Sequence, residues 1–216
     1  FCMMEGCGLE ENPKAAAGYF EKSGLAPAKN ALGVCCYKGA GTEFNPKLAV
    51  ELFKDAASKG CNRAKASLGR AYIEGLGVEK NLKKAEELLV EAANAGNAIA
   101  QNNLAVFYME GMSGHSDEFT AIEWYKKSAD AGYPPAQLAI GLAYIQGTGV
   151  PRADSIKGAQ WILKAAEAGN IEAMNNIGVC YFNGIGIEKN YALAMHWYEK
   201  SALGGYAIAQ NNLGDC

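Results

Sequence analysis

CNRAKASLGRAYIEGLGVEKNLKKAEELLVEAANAG, from Cys61 to Gly96, decides the fold, because the stretches that follow repeat its spacing. NAIAQNNLAVFYMEGMSGHSDEFTAIEWYKKSADAG (Asn97 to Gly132), YPPAQLAIGLAYIQGTGVPRADSIKGAQWILKAAEAG (Tyr133 to Gly169) and NIEAMNNIGVCYFNGIGIEKNYALAMHWYEKSALGG (Asn170 to Gly205) align on it with a period of about 36 residues. An earlier copy begins near Pro27 and ends at Gly60, and part of another precedes it, which makes six. A fixed period of this length marks stacked supersecondary units that cannot bury their apolar faces alone. Residues 1–216 therefore read as a single array. The chain starts and stops in mid-repeat, with Cys216 on the repeat position of Cys2, as a piece of a longer array would.

Each copy reads as helix A, a loop and helix B. On helix A, Ala64, Leu68, Gly69, Ala71 and Tyr72 fall on one face. Gly75 suits the left-handed position past a helix end, and Gly77 turns the chain back. Asn81 follows as the N-cap of helix B, with Asn12, Asn45, Asp117, Asp154 and Asn190 as equivalents. Helix B places a small residue (Ala85, Ala121, Gly158, Ala194) three before a large one (Leu88, Trp124, Trp161, Trp197), and the three tryptophans, sharing one repeat position, read as core. Gly60, Gly96, Gly132, Gly169 and Gly205 close helix B. Most of the 26 glycines thus serve as punctuation and close packing, not as phosphate loops.

Ala64, Leu68-Gly69, Tyr72, Gly75, Gly77-Val78, Asn81, Lys84-Ala85, Ala92-Ala93 and Gly96 form a pattern that resembles the Sel-1-like repeat (SLR) family, relatives of the tetratricopeptide repeat. The glycine pair between the helices and the longer period favour that family over the tetratricopeptide itself. The resemblance spans nearly the whole chain. It implies an all-α, right-handed superhelix that serves as a protein-binding adaptor or scaffold. A structural spacer or regulatory array within a larger protein is the competing role. Ser113 stands where the second glycine of the loop belongs, so that copy departs from the pattern.

Composition bounds the function. The hydrophobic share is 50%, enough to bury a core, and the net charge of -3 gives no electrostatic basis for nucleic-acid binding. No apolar run approaches a membrane span, and FCMMEGCGLEEN lacks the basic and apolar regions of a signal peptide. Seven cysteines, an odd number, and no N-x-S/T sequon lean toward the cytoplasm. Cys2, Cys35, Cys180 and Cys216 share one helix-A position and read as small buried apolar residues. Some SLR proteins link helix A to helix B by a disulfide, but helix B here has no cysteine. Cys7 and Cys61 fall in loops.

Nothing points to catalysis, a metal or a cofactor. The two histidines, His115 and His196, belong to no ligand motif. Ser113, His115 and Asp117 have the composition of a triad, but a triad is assembled in space, and Asp117 is already an N-cap. The chain is therefore expected not to be an enzyme.

One signal points to a site. With about 100° per residue, the positions two, six and nine after the first helix-A alanine turn away from helix B and are expected to be exposed. The first row holds Asn30, Ala66, Asn102, Leu138, Asn175 and Asn211; the second Val34, Arg70, Val106, Leu142, Val179 and Asp215; the third Tyr37, Ile73, Met109, Ile145 and Phe182. An amide row beside two apolar rows, on the face formed by the A helices that the resemblance places on the concave side of the superhelix, would suit an extended peptide or protein partner. The alternative is that the apolar rows pack between neighbouring A helices.

Overall fold

The computed structural model describes residues 13–112 and 114–214. Expectations placed on Cys2, Cys7, Asn12, Ser113, Asp215 and Cys216 lie outside the described residues. Among those described there are twelve α-helices and no strand. The B helices are α1 (Pro13–Ser23), α3 (Pro46–Ser58), α5 (Leu82–Asn94), α7 (Glu118–Asp130), α9 (Ser155–Glu167) and α11 (Tyr191–Leu203). The A helices are α2 (Ala26–Lys38), α4 (Asn62–Glu74), α6 (Ala98–Met109), α8 (Pro134–Gln146), α10 (Ile171–Asn183) and α12 (Ala207–Gly214). The all-helical repeat architecture is as the sequence predicts. The described residues form two compact units: 13–107 with Met112 and Gly114, and Tyr108–Gly111 with 115–214.

The caps lie where the sequence places them. Asn45, Asn81, Asp117, Asp154 and Asn190 each accept a backbone N–H three residues on, at 3.0–3.1 Å. Asn170 does the same for α10 at 2.7 Å, a helix-A cap the repeat pattern does not single out. Helix A ends on a left-handed glycine at Gly39, Gly75, Gly147 and Gly184.

In the first unit the core gathers Cys36, Ala49, Val50, Phe53, Leu68, Ala71, Tyr72 and Ala85. In the second it gathers Leu138, Ala159, Ile162, Ala165, Ala166, Ala173, Ile177 and Cys180. The large helix-B residues of the core are not those expected. Trp124, Trp161 and Trp197 are half-buried at the edge. Each carries a lysine over its ring: Lys127 at 3.9 Å, Lys164 at 4.4 Å and Lys200 at 4.8 Å from the centroid. The next residue, Phe53, Leu89, Tyr125, Ile162 or Tyr198, is the buried one. Four of these fill the space left by a helix-A glycine: a Cβ on Gly33, Gly69, Gly141 or Gly178 would lie 2.6–2.9 Å from Phe53, Leu89, Ile162 or Tyr198. Helix B thus meets helix A one residue further round than the small-to-large spacing implies.

Cys35 and Cys180 are buried and free, and Cys61 is half-exposed. Burial pushes the Cys35 thiol up, and that of Cys180 to about 11. No described helix is long and apolar enough to cross a membrane.

Candidate functional site

The exposure expected of the amide row is not found. Asn30 is 2% exposed and Asn175 5%, while Ala66 and Leu138 in the same row are buried too. The reason is that helix A touches the next helix A as well as its own helix B. In the first unit Ser67 of α4 donates its hydroxyl to Asn30 Oδ1 at 2.9 Å. In the second, Asn212 Nδ2 of α12 donates to Asn175 Oδ1 at 2.8 Å. These asparagines stitch one A helix to the next. Asn102 is half-buried, and Asn211, on α12, is exposed.

The apolar rows divide. In the first unit Val34, Tyr37 and Ile73 are half-buried against its core. Val106 is also half-buried and Arg70 is exposed. In the second unit Leu142 and Ile145 are half-buried against its core. Met109, Val179 and Phe182 are half-buried as well. Phe182 meets Tyr191 edge-on, with ring centroids 5.2 Å apart, so it braces α10 against α11.

The open face of helix A is rotated from the expected one by about 70°, less than the roughly 100° step between neighbouring residues. It is lined by the residue before the first alanine, such as Arg63, Pro135 and Glu172, by the third residue after it, such as Ser67, Ala139 and Asn176, and by the tenth, such as Lys38, Glu74, Gln146 and Asn183. Of the expected rows only the second, with Val34, Arg70, Leu142 and Val179, borders this face. The signal that could have revealed it is the polar character of the third and tenth positions beside an otherwise apolar helix.

One charged cluster stands on it. Tyr37 donates its hydroxyl to Glu74 Oε2, and Arg70 donates Nε to Glu74 Oε1, both at 2.6 Å. Burial pushes the Glu74 carboxyl up, but the Tyr37 hydroxyl and the Arg70 guanidinium outweigh it and hold the group below its usual range. Burial, and then the Glu74 carboxylate, raise the Tyr37 hydroxyl.

His115 and His196 are exposed, and His196 leans edge-on toward Trp197 at 5.8 Å. Asp117 is held ionised chiefly by the backbone N–H of Thr120, as an N-cap is. Among the described residues no group of three or more potential ligands could hold a metal ion.

Paired helices with glycine-closed loops, stitched to their neighbours along the A helices, define a helical repeat protein. The chain belongs to the Sel1 repeat family, whose model matches residues 1–25, 26–61, 63–97, 98–133, 134–170 and 171–206. Proteins of this family are generally protein-interaction scaffolds and typically non-catalytic. A Sel1 repeat protein from Oxalobacter formigenes is 31% identical, with a TM-score of 0.73 over 94% of this chain and 77% of that one. A protective antigen of uropathogenic Escherichia coli strains, also of SLR fold, is 34% identical, with a TM-score of 0.74 over 94% of this chain and 43% of that one. The fold is shared at lower identity, 23%, by an immunity protein of Pseudomonas aeruginosa, with a TM-score of 0.62 over 88% of this chain and 72% of that one. No curated protein matches the chain significantly.

Proposed function

We propose that this chain is a scaffold that binds an extended segment of a partner protein on the open face of its A helices. The observation that carries this reading is a row of apolar side chains beside exposed amides. In the second unit the A helices present half-exposed Leu142 and Val179 beside exposed Gln146 and Asn183. A row of apolar side chains next to amides offers both a place for a partner's side chains and donors and acceptors for its backbone. The asparagines at positions 30 and 175 take no part, since their amides are spent within the fold.

The test is a display selection of random 12-residue peptides on the whole chain, repeated on the Gln146→Lys/Asn183→Lys variant. Both positions are exposed, so the variant is expected to keep the helicity and unfolding midpoint of the parent. Peptides selected on the parent should bind the variant several-fold more weakly. If no peptide is enriched on the parent, or the folded variant binds all of them unchanged, the open A-helix face is not the binding surface.

A further inference from the structure

We propose that Asn183 is a site of spontaneous deamidation, and that the last turn of α10 sets the rate at which it converts. The proposal goes beyond the binding role and does not depend on it. Its starting point is one dipeptide. Of the asparagines in the chain only Asn183 is followed by glycine. Deamidation begins when the backbone nitrogen of the next residue attacks the side-chain carbonyl carbon of asparagine. Glycine has no Cβ to hinder that approach. Asn183 is also exposed, so water and base reach it.

The chemistry balances with water alone. A bond forms between the Gly184 nitrogen and Cγ of Asn183, and the Cγ–Nδ2 bond breaks. The amide leaves as ammonia, carrying the proton that the Gly184 nitrogen gave up. The product is a five-membered succinimide. Water then adds to either ring carbonyl and opens the ring to a carboxylate. One opening gives aspartate; the other reroutes the main chain through the side chain as isoaspartate. No step is a redox step.

The native turn opposes the first attack twice. The Gly184 N–H donates to the Cys180 carbonyl at 2.8 Å, closing the helix on a left-handed glycine with φ of 74°. A nitrogen in that bond keeps its proton and does not attack. Asn183 Nδ2 donates to the Val179 carbonyl at 3.1 Å, one turn back. Helical side chains lean toward the N-terminus, and this bond holds the amide on that side, away from the Gly184 nitrogen. Both bonds lie at a helix end, where opening costs least. The turn is braced by Phe182, whose ring meets Tyr191 of α11 edge-on with centroids 5.2 Å apart. Conversion is therefore gated by local opening of this turn and not by access of water. The carboxylate it leaves stands at the negative end of the helix dipole and has no N–H to offer Val179. The open face loses an exposed amide with it.

The experiment incubates the whole chain in mildly alkaline buffer, with and without urea, and follows each asparagine by digestion and mass spectrometry. In urea Asn183 should convert before any other asparagine. In buffer it should convert more slowly by roughly ten- to a hundred-fold, the ratio implied by breaking two ordinary hydrogen bonds beforehand. Tyr191→Ala removes the brace and leaves the sequence around Asn183 unchanged. With its helicity verified, this variant should convert several-fold faster than the parent in buffer and equally fast in urea. Asn81→Ala, which removes a cap in the first unit, should convert as the parent does in both. Equal parent rates in buffer and urea overturn the gate. A folded Tyr191→Ala that converts no faster than the parent also overturns it. So does an Asn81→Ala that speeds conversion as much, since conversion would then follow unfolding of the whole chain. Another asparagine converting first in urea overturns the assignment of Asn183 itself.

Discussion

Replacing Gly186 with alanine tests the stacking of one repeat on the next more directly than any core truncation. Gly186 is the second glycine of its loop, with φ of 68°. A Cβ there would stand 1.9 Å from the carbonyl oxygen of Ser155 and 2.3 Å from its carbon. Those atoms belong to the first turn of the preceding helix B, so neither can swing aside as a side chain would. The same seat recurs at Gly77 on Pro46 and at Gly149 on Glu118, where a Cβ would come within 2.2 and 2.6 Å of the carbonyl oxygen. Gly205 supplies the control. Its φ is 87°, yet a Cβ there meets nothing within 4 Å.

The magnitudes separate. Left-handed backbone costs an L residue about 1–2 kcal/mol, and both variants incur it. Gly205→Ala should stop there. Gly186→Ala must also push a loop off a rigid backbone, which adds about 1–3 kcal/mol on the scale of overpacked cores. The total is about 2–5 kcal/mol, a large part of a domain's stability. Urea unfolding followed by helical circular dichroism reads the difference as a lower midpoint for Gly186→Ala. If the two variants unfold within about 0.5 kcal/mol of each other, the loop does not bear on the preceding helix and the stacking described here is wrong.

Other expectations follow from single contacts. Asn81→Ala removes the acceptor of the Lys84 N–H and should cost about 1 kcal/mol, whereas Lys80→Ala, one residue earlier, should cost much less; equal denaturant midpoints would misplace the start of α5. Thiol reagent added to the native protein should reach half-exposed Cys61 well before buried Cys35 and Cys180, read by mass spectrometry after digestion; fast labelling of the latter pair contradicts their burial. Because Glu74 titrates below its unfolded value, the stability it adds is present above the ordinary carboxylate range and is lost as pH falls through its lowered value; Glu74→Gln should flatten that part of the stability-pH curve, and an unchanged curve would deny the Tyr37 and Arg70 contacts. Phe53→Ala should cost more than Trp124→Ala, since Phe53 is enclosed over Gly33 while Trp124 is half-exposed; the opposite order would return the tryptophans to the core.

What was legible in the sequence is what depends on one residue type at one backbone position. Gly75 must accept a left-handed φ, Asn81 must reach a free N–H, and Ala64 must leave room for a neighbour. Each such demand recurs in every copy, so period alone exposes it. Facing is harder, because it depends on which neighbours surround a helix. A lone helix pair leaves the Asn30 side of helix A open to solvent, and the sequence was read that way. A stacked array closes that side with the next helix A, and Ser67 then satisfies an amide that looked free for a partner. The same blindness moved the tryptophans: Trp161 and Ile162 are adjacent and both large, and the notch at Gly141 on helix A decides which is swallowed. Arg70 was counted among the candidates, but its contacts were hidden for a third reason. Its row was valued for being apolar, so a charged member looked like an interruption. The geometry ties it to Glu74, which also accepts from Tyr37 of the preceding repeat, so the position of this charge depends on a neighbouring copy that the row alone does not reveal.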